Sequence, residues 1–447
     1  MKNIKTFLTA SIVGAAVSLN TYAQQVQGFV HQQSEASGYV WPTDEQVLDK
    51  LDKWQDQKFG VLFHWGLYSV PGIVESWSIC SEDEEWIPRD TTMTYDAYKQ
   101  WYWGLKDKFN PVNFNPAQWA EVMKDAGMKY MIFTSKHHDG FCMFDSRYTD
   151  FSIAHGAFKD NPKKNVARYV FDAFRQEGFM TGCYFSKPDW HCSWYWNPYF
   201  ATPNRNQNYK KERHPEWWKK YQEFTENQLN ELMENYGSFD ILWLDGGWVT
   251  GDDINLDRIL EKARQKHPGL ISVDRSIRGR NENYQTPERG IPEKQLNYPW
   301  ESCITLSNDW GWTPNAPYKS PEKVIAMLTE ITAKGGCLLL GVGPTPDGII
   351  EQPVTERLHK VGEWLRRNGE AIYNTRVAFM KKYDCMSLCL TTASSTVSKT
   401  LYPSVFTSNL ALLINSCSIA SSYSDMEEQV GTVLFMTIDL PAFLANK

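Results

Sequence analysis

The chain has 447 residues, of which 42% are hydrophobic and 22% charged. Those fractions exclude a disordered, collagen-like or coiled-coil chain, and the length fits one large domain plus a smaller one. A formal net charge of −7 argues against wholesale binding to nucleic acid. Aromatic residues reach 14%, with 19 Trp and 22 Tyr. A large core accounts for that excess, and so does sugar binding, because flat indoles stack on apolar sugar faces.

In chain order, Met1–Ala23 reads as a secretory signal. Lys2 and Lys5 form a positive start, Phe7–Leu19 is an apolar and small-residue run, and Thr21-Tyr22-Ala23 offers a cleavage site. The expected destination is a bacterial periplasm or the exterior. No later run reaches about 18 apolar residues, so no membrane insertion is expected.

Apolar strand-like runs then alternate with amphipathic segments. The strands are predicted at Phe59–Trp65, Tyr130–Thr134, Phe179–Ser186, Phe239–Leu244, Leu270–Arg275, Ser302–Leu306 and Cys337–Val342. Helices are predicted at Pro116–Ala126, Asn165–Glu177, Pro215–Tyr236, Asp253–Lys266, Pro321–Ala333 and Gln352–Arg367. Asn115-Pro116 and Ser320-Pro321 are capping residues followed by proline at the first helical position. Near-continuous apolar strands separated by helices imply a parallel sheet covered on both faces. Seven visible strands, with an eighth blurred, point to an α/β fold of (β/α)8-barrel type over residues 24–375. No Gly-rich phosphate loop follows the first strand, which weakens the nucleotide-binding alternative. Residues 376–447 read as a smaller C-terminal β-rich, sandwich-like domain, truncated or atypical, with 385–447 rich in Ser, Thr, Leu and Val.

Nine cysteines show no CxxC pair and no zinc spacing. Most lie in apolar strand-like runs, so buried thiols are expected rather than a disulfide framework.

Chemistry concentrates where strands end. Successive strands run into His64-Trp65-Gly66, Lys136-His137-His138-Asp139, Tyr184 and then Asp189-Trp190-His191, Asp245-Gly246-Gly247-Trp248, and Asp274-Arg275. In a parallel barrel those positions face the mouth. Asp245 is the sharpest, since it directly follows Ile241-Leu242-Trp243-Leu244. The histidines raise a metal-dependent hydrolase as an alternative. However, adjacent residues on an extended segment point to opposite sides, so His137 and His138 are not expected to share an ion without a bend. No metal is assigned. A glycosidic reaction at Asp245 needs a second carboxylic acid to protonate the departing oxygen. Glu288 in Thr286-Pro287-Glu288 and Glu301 in Trp300-Glu301-Ser302 are the candidates.

These segments together resemble α-L-fucosidases of glycoside hydrolase family 29. The matching stretches are Lys58–Gly66, Tyr130–Phe141 with His-His-Asp-Gly, Phe239–Trp248 around Asp245, and Gly335–Asp347. The resemblance spans roughly residues 40–375. It implies a catalytic barrel followed by a β-sandwich, and hydrolysis of terminal α-L-fucose with retention of configuration. By position Asp245 is similar to the family nucleophile. His64, His137, His138, Tyr184, Trp243 and Arg275 match sugar-contacting positions, as do Glu75 and Trp310. For the acid/base Glu288 is favoured over Glu301, and its loop looks like that of members preferring α-1,3/1,4-linked fucose. A retaining pair should hold its carboxyls about 5–5.5 Å apart. No cofactor is implied, and the partner is a fucosylated oligosaccharide or glycoconjugate. The competing reading is a non-catalytic fucose- or glycan-binding protein on the same scaffold.

Overall fold

The computed structural model describes residues 38–80, 87, 89–90, 92–377 and 388–389. The predicted signal segment lies outside the described residues, as does nearly all of the predicted C-terminal domain. Of the latter, a short antiparallel pair is described, Arg376–Val377 with Leu388–Cys389.

Seven parallel strands form one sheet: β1 (Phe59–Phe63), β2 (Tyr130–Lys136), β3 (Met180–Ser186), β4 (Ile241–Asp245), β5 (Ile271–Asp274), β6 (Glu301–Thr305) and β7 (Cys337–Val342). Their order is β5-β4-β3-β2-β1-β7-β6. All seven lie where the apolar runs place them. Between β5 and β6, residues 281–289 form an irregular segment bonded to both sheet edges. Asn283 N–H donates to Ser272 O (2.8 Å) on β5, and Glu301 N–H of β6 donates to Gln285 O (2.8 Å). Glu288 forms a bridge with Cys303. This segment reads as a polar loop, yet Asn283 and Gln285 are buried. The Asn283 side chain replaces a ladder bond by accepting from Ser272 N–H at 2.9 Å.

The alternation of strand side chains separates two clusters. Leu62, Ile132, Tyr184, Trp243, Val273 and Leu339 lie together inside the curved sheet. Val61, Phe63, Phe133, Phe185, Leu244 and Leu340 pack outward against helix residues such as Trp119, Phe174 and Leu232.

The helices are α1 (Glu45–Gln57), α2 (Tyr95–Trp103), α3 (Pro116–Asp125), α4 (Val166–Gln176), α5 (Pro215–Asn235), α6 (Leu256–Lys266), α7 (Pro321–Ala333) and α8 (Gln352–Asn368). Asn115 and Ser320 cap α3 and α7 by accepting from Gln118 N–H and Lys323 N–H. The sequence pattern did not mark α1 and α2. α1 buries only Val47, Leu51 and Trp54. Its Trp54 stacks on Tyr284, with ring centroids 3.9 Å apart, and so closes the end of the strand ring opposite the site. α2 is short and crowded with aromatics, with Asp96 and Gln100 on its exposed side; its Tyr102 hydroxyl donates to Asp139 Oδ2 at 2.6 Å. Among the described residues Cys142, Cys183, Cys192, Cys303 and Cys337 are buried thiols, as expected. No described helix is long and apolar enough to cross a membrane.

Candidate active site

The carboxyl ends of the strands bring the predicted residues together. Asp245 is the last residue of β4 and pairs in register with Ser186 of β3. The chain then turns sharply at Gly246, whose φ of +84° and packing leave no room for a side chain: a Cβ would lie 2.1 Å from Pro188 Cδ. The Gly246 N–H donates back to Asp245 Oδ1 at 2.8 Å.

Three further groups grip the carboxylate. Tyr184 donates to Oδ2 at 2.6 Å, and Arg275 Nη1 donates to Oδ1 at 3.1 Å. His138 Nε2 lies 3.9 Å from Oδ2. Burial alone would raise the Asp245 pKa. Arg275, His138, Tyr184 and the Gly246 N–H outweigh it and hold the carboxyl well below the usual range. Asp245 is therefore ionised at every working pH. Burial opposes the Arg275 charge, but Glu288 and Asp245 keep its guanidinium protonated well above its ordinary value.

Arg275 contacts one of the two candidate acids and not the other. Its Nη2 donates to Glu288 Oε2, so Asp245 and Glu288 share one guanidinium. Glu301 stands elsewhere. It opens β6 facing the interior, fully buried, accepting from Tyr130 Oη at 2.7 Å and from Trp243 Nε1 at 3.3 Å. Burial pushes its pKa up to about 8. Its partner Trp243 stacks on Tyr184 with centroids 5.2 Å apart, so Glu301 supports the floor of the site from beneath.

The imidazoles form one wall. The expectation that His137 and His138 diverge is corrected: β2 ends at Lys136, and a turn closed by Gly140 N–H to His137 O brings the two rings within 4.3 Å. His64 lies 5.5 Å from His137 and 5.3 Å from Trp310 between ring centroids. Burial, only partly offset by the Asp245 charge, lowers His64 to about 3 and His138 to about 4, and lowers His137 well below its ordinary value. All three rings are therefore neutral at pH 7, each offering one donor and one acceptor. Ser76 Oγ and Ser186 Oγ engage Nδ1 of His137 and His138. Among the described residues the buried Nδ1 of His64 has no partner.

Glu75 and Trp310 stand at the same mouth, linked to each other. Glu75 Oε1 accepts the N–H groups of Trp310 (2.6 Å) and Gly311 (2.8 Å), and burial pushes its pKa up to about 7. Sequence reasoning missed Ser76, Ser186 and Trp77. The Trp77 ring packs 5.0 Å from His138 and 5.8 Å from Trp248. Its signal was the Glu75-Ser76-Trp77 stretch itself, an acid beside an indole.

His137, His138 and Asp245 each present a ligand atom within 4.8 Å of the others, the one such group among the described residues. They fit a cation poorly. The serines leave both Nε2 atoms open, but the Arg275 guanidinium bonded to Asp245 already sets a positive charge at the carboxylate.

Comparison with known proteins decides the family. The family model "Alpha-L-fucosidase" matches residues 26–370. The chain belongs to the α-L-fucosidase family. Human plasma alpha-L-fucosidase is 32% identical over 351 residues, covering 75% of this chain and 72% of that one. Among solved structures, alpha-L-fucosidase isoenzyme 1 of Paenibacillus thiaminolyticus superposes with a TM-score of 0.63 at 30% identity, covering 75% and 80% of the two chains. The α-fucosidase of Thermotoga maritima gives 0.59 at 29% identity, covering 75% and 79%. Family membership makes the protein a glycoside hydrolase, an α-L-fucosidase.

Proposed function

We propose that this α-L-fucosidase is exo-acting and retains configuration, releasing terminal α-L-fucose, α-1,3/1,4-linked, from oligosaccharides or glycoconjugates in the periplasm or outside the cell. The observation that carries the reading is the single guanidinium bonded to both Asp245 and Glu288 beneath a wall of neutral imidazoles.

In the first step Asp245, ionised and aimed by Tyr184 and Gly246, attacks the anomeric carbon. The bond from that carbon to the departing oxygen breaks, and Glu288 gives its proton to the oxygen. In the second step water attacks the same carbon, Glu288 takes the water's proton, and the bond to Asp245 breaks. His64, His137 and His138 exchange hydrogen bonds with the sugar hydroxyls. Trp243 and Trp310 supply flat apolar surface for the C6 methyl group. A solved α-fucosidase 29% identical to this chain carries a mechanism-based inhibitor, in keeping with a nucleophile in the pocket.

Proton NMR of the hydrolysis of an aryl α-L-fucoside tests the reading. The first-formed sugar should be α-L-fucose, which mutarotates afterwards. First-formed β-L-fucose would exclude retention, and binding without any product would favour the glycan-binding alternative. A panel of α-1,2, α-1,3, α-1,4 and α-1,6 fucosyl oligosaccharides tests the linkage.

A further inference from the structure

Glu288 is bracketed by two cations, and only one of them faces the nucleophile. Arg275 holds Oε2 and reaches on to Asp245. The other is Arg289, whose Nε lies 4.0 Å from Glu288 Oε1. Arg289 has a left-handed backbone with φ of +54°. Residues other than glycine adopt that conformation rarely, and such strain gathers at functional sites. Here the strain is held in place by the Arg289 N–H, which donates to Cys303 O on β6 at 2.9 Å.

The turn sets the guanidinium above Trp310, with Cζ 5.5 Å from the ring centroid, and Nη1 donates to Asn308 O at 2.7 Å. Among the described residues Nη2 donates to none. The Arg289 side chain is 34% exposed, against 12% for Arg275, so it stands on the open side of Glu288. Its charge is felt by both His64 and Glu75, which places it on the rim of the pocket.

A general acid must touch the glycosidic oxygen. With Asp245 below the fucose, the sugar beyond that oxygen lies on the open side of Glu288, where Arg289 stands. We propose that Arg289 is a specificity residue for the leaving group. Its Nη2 donates to an acceptor oxygen, a hydroxyl or an acetamido carbonyl, on the ring to which the fucose is attached. The inference deepens the proposed function and rests on Glu288 being the acid.

The test compares kcat/KM for a fucosyl oligosaccharide with that for an aryl α-L-fucoside, which lacks the second sugar ring. In Arg289→Met the ratio of the two should fall by about tenfold or more, the loss of a hydrogen bond from a charged donor, with KM carrying most of the change. Arg289→Lys should recover part of the ratio. Equal losses on both substrates would mean that Arg289 only supports the loop, and an unchanged ratio would mean that it contacts no leaving group. Either result overturns the proposal. Glu288→Gln, run alongside, checks the underlying reading. It should slow the oligosaccharide far more than an aryl substrate whose phenolate leaves unprotonated. If it does so while the Arg289→Met ratio stays unchanged, the Arg289 proposal alone fails.

Discussion

Replacing Arg275 by Met keeps a long apolar stem and deletes the charge that Asp245 and Glu288 share. The Arg275, Asp245 and Glu288 side chains are 12%, 13% and 16% exposed, so water screens little of the interaction. Removing one partner of a buried ion pair costs about 3–5 kcal/mol, here because the buried Asp245 carboxylate is left without its cation. The pH dependence follows from the sign of the Asp245 shift. Its folded pKa is depressed, so its contribution to stability is present above the unfolded carboxylate value and is lost as the pH falls toward the folded one. In the variant that pKa rises, and the penalty is relieved by protonation on acidification. Urea unfolding followed by tryptophan fluorescence should therefore show a gap of about 3–5 kcal/mol at pH 7 that narrows toward about pH 4.5. The acid limb of kcat/KM should move to higher pH, because Asp245 must be ionised to attack and loses the cation that holds its pKa down. A gap below about 1 kcal/mol at pH 7, or one that stays constant on acidification, would refute the reasoning.

Gly246→Ala places a methyl group against Pro188 and moves the backbone that carries Asp245. It should destabilise the protein by about 1–3 kcal/mol and lower kcat at least about tenfold, read from unfolding and steady-state rates; an unchanged kcat would contradict the placement of Asp245. Glu288→Gln should cost about 10²–10⁴-fold in oligosaccharide turnover, and Glu301→Gln far less, since glutamine still accepts from Trp243. The opposite ranking would transfer the acid role to Glu301. Exhaustive chelation should leave turnover unchanged, whereas loss restored by one divalent ion would revive the metal reading of His137, His138 and Asp245.

What the sequence reveals here depends on how locally each feature is encoded. The seven strands are buried on both faces, so their apolar runs stand out without any alternation. Asp245, His64 and Arg275 were legible for the same reason, as polar residues directly after such runs. α1 was hidden because only three of its residues pack inward. The segment that closes the sheet was hidden because Glu282, Asn283, Gln285 and Thr286 are polar and yet buried. Glu288 and Glu301 were both candidates because each is a glutamate beyond β5, and a sequence does not give the direction of a side chain. Only the direction of each side chain, one toward Arg275 and the other toward Tyr130 and Trp243, separates them. The pairing of His137 with His138 depends on where β2 stops, and a strand's last residue is weakly encoded.

The covalent step is open to direct measurement by incubating the enzyme with 2-deoxy-2-fluoro-α-L-fucosyl fluoride. The ring fluorine slows formation and hydrolysis of the intermediate, while the fluoride leaving group lets it accumulate. Mass spectrometry should find one added fluorofucosyl group per chain, mapped to the peptide containing Asp245 and absent in Asp245→Ala. A label on any other carboxylate, or inhibition without a covalent adduct, would contradict Asp245 as the nucleophile.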